Sequence, residues 1–284
     1  MEIYIIIAIY ENMKNIDFIK MHGLGNDFVI IDRRINDVEI SKEFINKLSD
    51  RKSGAGCDQL ITINQSSSDD HDAYIQIYNP GGDSAEACGN GTRCVAKLLF
   101  EEKNNSELKI KSDAGILIAK KNDDKNISVN LGRISHHWQD IPLIKKVDTL
   151  NMPINIDGFS SGVAVNIGNP HIVFFGNNIN KIDLSSIGPN IENNELFPKK
   201  TNVEIIEILN ESKIRMRVWE RGAGITQACG SGACAAVYAG NLKGLLKDKV
   251  EVEFEKGSLS ISIENNNAIM TGPAEISFRG KIEI

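Results

Sequence analysis

The chain repeats itself. Ala87-Cys88-Gly89-Asn90-Gly91 resembles Ala228-Cys229-Gly230-Ser231-Gly232, with the two cysteines 141 residues apart. Gly25-Asn26 followed by the apolar run Phe28 to Ile31 resembles Gly168-Asn169 followed by His171 to Phe175, 143 residues apart. Asp58-Gln59-Leu60-Ile61 aligns with Thr201-Asn202-Val203-Glu204 at the same spacing. The strand-like stretch ending at Asn79 aligns with the one ending at Glu220, and Asp113-Ala114-Gly115 with Glu255-Lys256-Gly257. Five matches in one order, with nearly constant offsets, identify duplication of a unit about half the chain long. Chance alignment of Gly-rich turns would keep neither order nor spacing. Two copies predict two similar domains, with a site between them that takes matching residues from each.

The local patterns are rich in strands. Lys213 to Glu220, Val250 to Glu255, Ser258 to Glu264, Tyr74 to Tyr78 and Ile127 to Leu131 alternate in period two, as in antiparallel sheets with one wet face. Helices are fewer. Ser41 to Leu48 opens on a Ser N-cap, and Thr92 to Glu102 and Ala233 to Leu246 follow the two Cys-Gly turns. Asn177 to Asn194 and Asn122 to Asn126 read as polar loops.

Composition removes several functions. Lys and Arg number 32 against 38 Asp and Glu, a net charge of −6. Without a long basic run, no nucleic-acid partner is expected. The longest apolar run, Tyr4 to Tyr10, is far shorter than the roughly 20 residues of a membrane span. It lacks the flanks of a signal peptide, so the expected protein is cytoplasmic, with no membrane partner. Five cysteines, an odd number, argue against a disulfide framework. Their spacings, and adjacent His136 and His137 without an HExxH, do not fit metal sites.

A Cys-Gly-x-Gly turn at a helix start has a chemistry of its own. Unpaired N–H groups and the positive end of the helix dipole favour thiolate and bind carboxylates. Glycine lets a ligand approach the backbone. If the two copies face each other, Cys88 and Cys229 approach one carbon from opposite sides. One takes a proton and the other returns one, which inverts the stereocentre. The helix-start donors stabilise the developing carbanion. No cofactor is called for, and neither a GxGxxG after a strand nor a P-loop lysine is present.

These residues resemble the diaminopimelate epimerase family. The matching motifs are Lys20-Met21-His22-Gly23-Leu24-Gly25-Asn26-Asp27-Phe28, Gly56-Cys57-Asp58-Gln59, and Asn79-Pro80 running to Cys94. Further on come Gly168-Asn169-Pro170-His171, Thr201-Asn202-Val203, and Glu220-Arg221-Gly222-Ala223-Gly224 running to Ala233. The resemblance covers about Ile16 to the C-terminus. It implies an α+β fold of two pseudo-symmetric domains, each a mostly antiparallel β-structure wrapped around a central helix. The expected domains are residues 1–133 and 134–275, with the strand 276–284 packing back on the first and residues 1–15 an extension. Met13 is an alternative start.

The implied activity is cofactor-independent conversion of LL-2,6-diaminopimelate to the meso form in lysine biosynthesis. The resemblance makes Cys88 and Cys229 the acid/base pair. It places Asn26, Gln59, Asn79, Asn169, Asn202, Glu220 and Arg221 around the substrate. Gly89, Asn90, Gly230 and Ser231 hold the reacting carboxylate, and His171 and Glu220 tune the thiols. Arg221 can grip the distal carboxylate in a bidentate way, and Glu220 the distal ammonium. A homodimer is implied too, although Phe278 stands where many members carry tyrosine at the dimer contact.

The remaining candidates have plainer readings. Cys57, Cys94 and Cys234 read as packing residues, Trp219 as core, and His71, His136 and His137 as exposed. His22 reads as structural, and Arg93 as either a charge near the site or a surface residue. Two rival functions stay open: a proline racemase or hydroxyproline epimerase, and a non-enzymatic thiol redox or binding protein. The first rival does not need Glu220-Arg221, and the second leaves the Asn, Glu and Arg set unexplained.

Overall fold

The computed structural model describes residues 15–36, 38–66, 68–85, 88–123 and 125–283. All but the last residue of the expected N-terminal extension lies outside them. The first half runs β1 (Asn15–Gly23), β2 (Asn26–Asp32), α1 (Lys42–Ser49), β3 (Gln59–Asn64), β4 (Ala73–Tyr78), β5 (Ser84–Ala85), α2 (Gly89–Glu102), β6 (Glu107–Ser112), β7 (Gly115–Lys121) and β8 (Asn126–Arg133). The second half repeats that order. It runs β9 (Val163–Asn166), β10 (Pro170–Phe175), α3 (Leu184–Glu192), β11 (Asn202–Asn210), β12 (Lys213–Glu220), β13 (Gly224–Ile225), α4 (Gly230–Leu242), β14 (Lys249–Phe254), β15 (Gly257–Glu264) and β16 (Asn267–Pro273). A further strand, β17 (Glu275–Glu283), returns antiparallel to β1.

The pairings repeat as well. β2–β3 and β10–β11 are parallel, and so are β4–β6 and β12–β14. The other pairs within each half are antiparallel. The fold is therefore mostly antiparallel, with two parallel contacts per half that alternation alone does not reveal. β8 pairs with β16 and joins the halves.

Each half buries its sheet on both faces. Phe28 and Ile30 of β2 face the central helix α2, while Val29 and Ile31 face α1. Val173 and Phe175 of β10 face α4, while Ile172 and Phe174 face α3. This double burial explains why Phe28 to Ile31 and Ile172 to Phe175 are unbroken apolar runs.

Four sequence readings are corrected. Asn177 to Asn194 holds a 3₁₀ turn (Ile179–Lys181) and the helix α3. Asp183 caps that helix by accepting from Ser186 N, and Leu184 and Ile191 bury its inner face. Its helical signal is the apolar spacing beneath the Asn-rich composition. The helix after Cys229 stops at Leu242, and Gly244 turns the chain with φ +69°. His71 is buried against Asp70, not exposed. Trp219 is only half-buried, its Nε1 donating to Glu192 at 2.7 Å.

Candidate active site

The two Cys-Gly turns meet where α2 and α4 begin. Cys88 and Cys229 are the N-cap residues of these helices. Asn90 Nδ2 crosses between the halves to Ala228 O at 3.4 Å. A Cβ on Gly89 would lie 2.6 Å from Met270 Cε, and one on Gly230 would lie 2.5 Å from Met270 Sδ. A side chain at either place would have to displace Met270, because both helix starts press on the same methionine. Glu220 acts electrostatically on both thiols.

Arg93 lies under this junction. It is fully buried, so the surface reading is corrected, and no carboxylate pairs with it among the described residues. Its Nη1 donates to Asn90 Oδ1 at 3.0 Å and its Nε to Pro273 O at 3.3 Å, while Nη2 has no partner. From there the donors run one way. Asn90 Nδ2 donates to Asn26 Oδ1 at 3.1 Å, and Asn26 Nδ2 to Asp58 Oδ2 at 3.0 Å. Arg51 bridges Asp58 and Asp27, and Lys20 pairs with Asp27 at 2.7 Å. The loop carrying Asn26 is thus fixed by charge, and Gly25, at φ +87°, makes its turn. Gln59 Nε2 donates to Asn79 Oδ1 at 3.0 Å.

The second half builds its side differently. Asn202 accepts from Arg221 N at 2.9 Å and donates to Pro170 O at 2.9 Å. His171 Nε2 lies 2.9 Å from Asn169 Oδ1, and its Nδ1 lies 2.7 Å from Glu204 Oε1. Glu220 accepts from Thr226 Oγ1. Ser231 Oγ and Gly232 N lie 3.4 Å from Cys229 Sγ. The Arg221 side chain is exposed at the rim, with Nη1 on Lys199 O at 3.1 Å.

The thiols overturn one expectation. Burial first, and then Glu220, push the Cys88 thiol up to about 11, although the Gly91 and Asn90 N–H groups and Arg93 pull it down. Burial, then Glu220 and Glu204, push Cys229 well above the usual thiol range against Ser231 and Gly232 N. Desolvation outweighs the helix start, so both groups favour thiol. Burial likewise raises Glu220, against its hydrogen bonds from Thr226 and Cys229. Cys57, Cys94 and Cys234 are buried packing residues, as expected.

The sequence reading missed Glu204, Thr226 and the Lys20–Asp27–Arg51–Asp58 network. Lys20, Asp27 and Asp58 lay inside conspicuous motifs, but Glu204 had no such signal because its repeat partner is Ile61.

Comparison with known proteins decides the family. The diaminopimelate epimerase family model matches residues 18–137 and 163–277. The chain belongs to the diaminopimelate epimerase family. A diaminopimelate epimerase from Pelagibacter ubique is 45% identical over 260 residues, covering 89% of this chain and 94% of that one. One from a Wolbachia species is 44% identical over 265 residues, covering 92% and 97%. The fold extends beyond the family. A phenazine biosynthesis protein of the PhzF family from Bacillus anthracis superposes with a TM-score of 0.65 at 16% identity, covering 95% of this chain and all of its own. Like other diaminopimelate epimerases, the chain is an isomerase by family. No helix among the described residues is long and apolar enough to cross a membrane.

Proposed function

We propose that the protein converts LL-2,6-diaminopimelate to the meso form in lysine biosynthesis by a two-base mechanism without a cofactor. The observation that carries this reading is the abutment of two duplicated Cys-Gly helix starts on Met270, with Asn90 bonded across them. Cys88 and Cys229 are assigned as the acid/base pair, one on each face of the carbon. The α-carboxylate sits on the backbone N–H groups of Gly89, Asn90, Gly230 and Ser231, which stabilise the carbanion.

The distal amino-acid end is assigned to Asn26, Gln59, Asn79, Asn169, Asn202, Glu220 and Arg221. Arg221 keeps Nη2 and Nε for its carboxylate, since Nη1 is on Lys199 O. His171 and Glu220 are assigned to tune the two thiols. Family membership and the Glu220-Arg221 pair favour this reading over a proline racemase, whose substrate has no second carboxylate. They also favour it over a thiol redox protein.

We assign residues 1–133 and 134–275 to the two domains, with 276–284 added to the first because β17 pairs along β1. A homodimer fits the half-exposed Phe278, which packs edge-on to Phe18 beside a groove of about 560 Å³ lined by Phe18, Ile35 and Arg279. The proposed location is cytoplasmic. The test incubates the reduced protein with LL-diaminopimelate and follows the meso form by chiral chromatography, with L-proline as the rival substrate. Turnover of the first, abolished by Cys88→Ala and by Cys229→Ala, is expected. Racemised proline, or no meso product from the wild type, would overturn the reading.

A further inference from the structure

We propose that Glu204, acting through His171, fixes the side-chain amide of Asn169 so that its NH2 group faces the substrate and donates to a carboxylate oxygen. This rests on the placing of Asn169 at the substrate under the proposed function. Glu204 and His171 have no exposed side-chain surface. Glu204 Oε1 lies 2.7 Å from His171 Nδ1, and His171 Nε2 lies 2.9 Å from Asn169 Oδ1. An amide oxygen only accepts, so Nε2 carries a hydrogen. One further proton lies between Nδ1 and Oε1. On either atom it leaves Nε2–H in place. Without the carboxyl, a neutral imidazole can put its single hydrogen on Nδ1 instead, and the Asn169 amide is free to turn over. Glu204 removes that choice while the buried pair holds both protons, one on Nε2 and one between Nδ1 and Oε1, as the two contacts require.

The duplication makes the arrangement stand out. The repeat counterparts of His171 and Glu204 are Phe28 and Ile61, both fully buried. The register is the same, since Phe28 pairs with Gln59 and His171 with Asn202. A Cβ on Gly91 would lie 2.5 Å from Ile61 Cδ1, and one on Gly232 would lie 2.8 Å from Glu204 Oε1. The same space under each helix start is apolar in one half and acidic in the other. Burying a carboxyl whose Oε2 has no partner is costly where an isoleucine fits. The acid therefore serves something other than packing.

Asn26, the counterpart of Asn169, is held the opposite way. Its Nδ2 is spent on Asp58, and its Oδ1 faces Asn90 and lies 4.0 Å from Cys88 Sγ. Equivalent asparagines are thus fixed by different partners, Asn26 by Asp58 and Asn90 and Asn169 by His171.

The other titratable groups facing the pair are Glu220 on β12 and Cys229 at the start of α4. The test combines ¹⁵N NMR of His171 with steady-state kinetics. In the wild type, Nε2 is expected to carry a hydrogen. In Glu204→Gln, Nε2 is expected to lose part of its proton occupancy, and KM to rise about tenfold while kcat changes less than about threefold. An unprotonated Nε2 in the wild type overturns the proposal, as does a Glu204→Gln enzyme with unchanged KM or a fully protonated Nε2. If Glu204→Gln does not fold, the wild-type spectrum decides alone. A wild type that does not epimerise diaminopimelate defeats the functional reading instead, and leaves the spectrum to judge the hydrogen-bond relay.

Discussion

The Cys88 thiol gives a direct numerical prediction. Burial and Glu220 hold it at about 11, whereas an ordinary thiol titrates near about 8.5. Alkylation by iodoacetamide follows the thiolate fraction. For an ordinary thiol, the rate between about pH 9 and about pH 10 rises less than about 1.5-fold, because most of it is already ionised. For a thiol at about 11 the same step gives about a ninefold rise. The assay is mass spectrometry of the peptide that holds Cys88 after timed alkylation, with circular dichroism to confirm folding at each pH. Cys57, Cys94 and Cys234 are buried and serve as slow internal references. Glu220→Gln removes a carboxylate that pushes the thiol up and should move the bend to lower pH. A Cys88 rate that levels off by about pH 9 would refute the claim that burial outweighs the helix start.

Other consequences follow from the same geometry. Despite its burial, Asp27 is held well below the usual carboxylate range by Arg51 and Lys20. Its stabilisation is therefore full above about pH 4 and drains away as pH falls further. Thermal melts of Asp27→Asn should show a deficit near pH 7 that shrinks toward pH 3, and a constant deficit would contradict this. Arg221→Lys keeps the charge but loses the planar fork, so kcat/KM for diaminopimelate should fall at least about tenfold; an unchanged value removes Arg221 from the distal carboxylate. Arg93→Met trades a costly buried cation against hydrogen bonds worth about 1.5–3 kcal/mol each. Its unfolding free energy should shift by less than about 2 kcal/mol in urea titrations, while turnover falls about tenfold as Asn90 loses its donor. A large loss of stability with normal turnover would mean that Arg93 only packs.

Much of the fold could be read from the repeat, because order and spacing survive where residue identity does not. The two cysteines, the two asparagine turns and the central helices all came from it. Helix α3 was hidden by the asparagines that flank it on both sides, although α1 sits at the matching place in the first half. The parallel pairs escaped because alternation reports which face is buried, not which way the neighbour runs. Glu204 escaped for the opposite reason. A search for matching residues passes over a position where one copy has isoleucine and the other an acid. His71, and Arg93 in one of its two readings, looked like surface residues, since side-chain charge says nothing about the pocket the chain closes around it. The direction of the thiol shifts was not legible either, because a helix start is local and desolvation is set by the whole cleft.

The two-base claim is tested most directly by isotope placement. LL-diaminopimelate is converted in deuterated water and both stereoisomers are analysed by mass spectrometry at less than about a tenth of full conversion. Proton removal by one thiol and delivery by the other predicts one deuterium at the inverted carbon of the meso product, while unreacted LL substrate stays unlabelled. Meso product that retains the original hydrogen would mean that a single base removes and returns it, and Cys88 and Cys229 would not stand on opposite faces of the carbon.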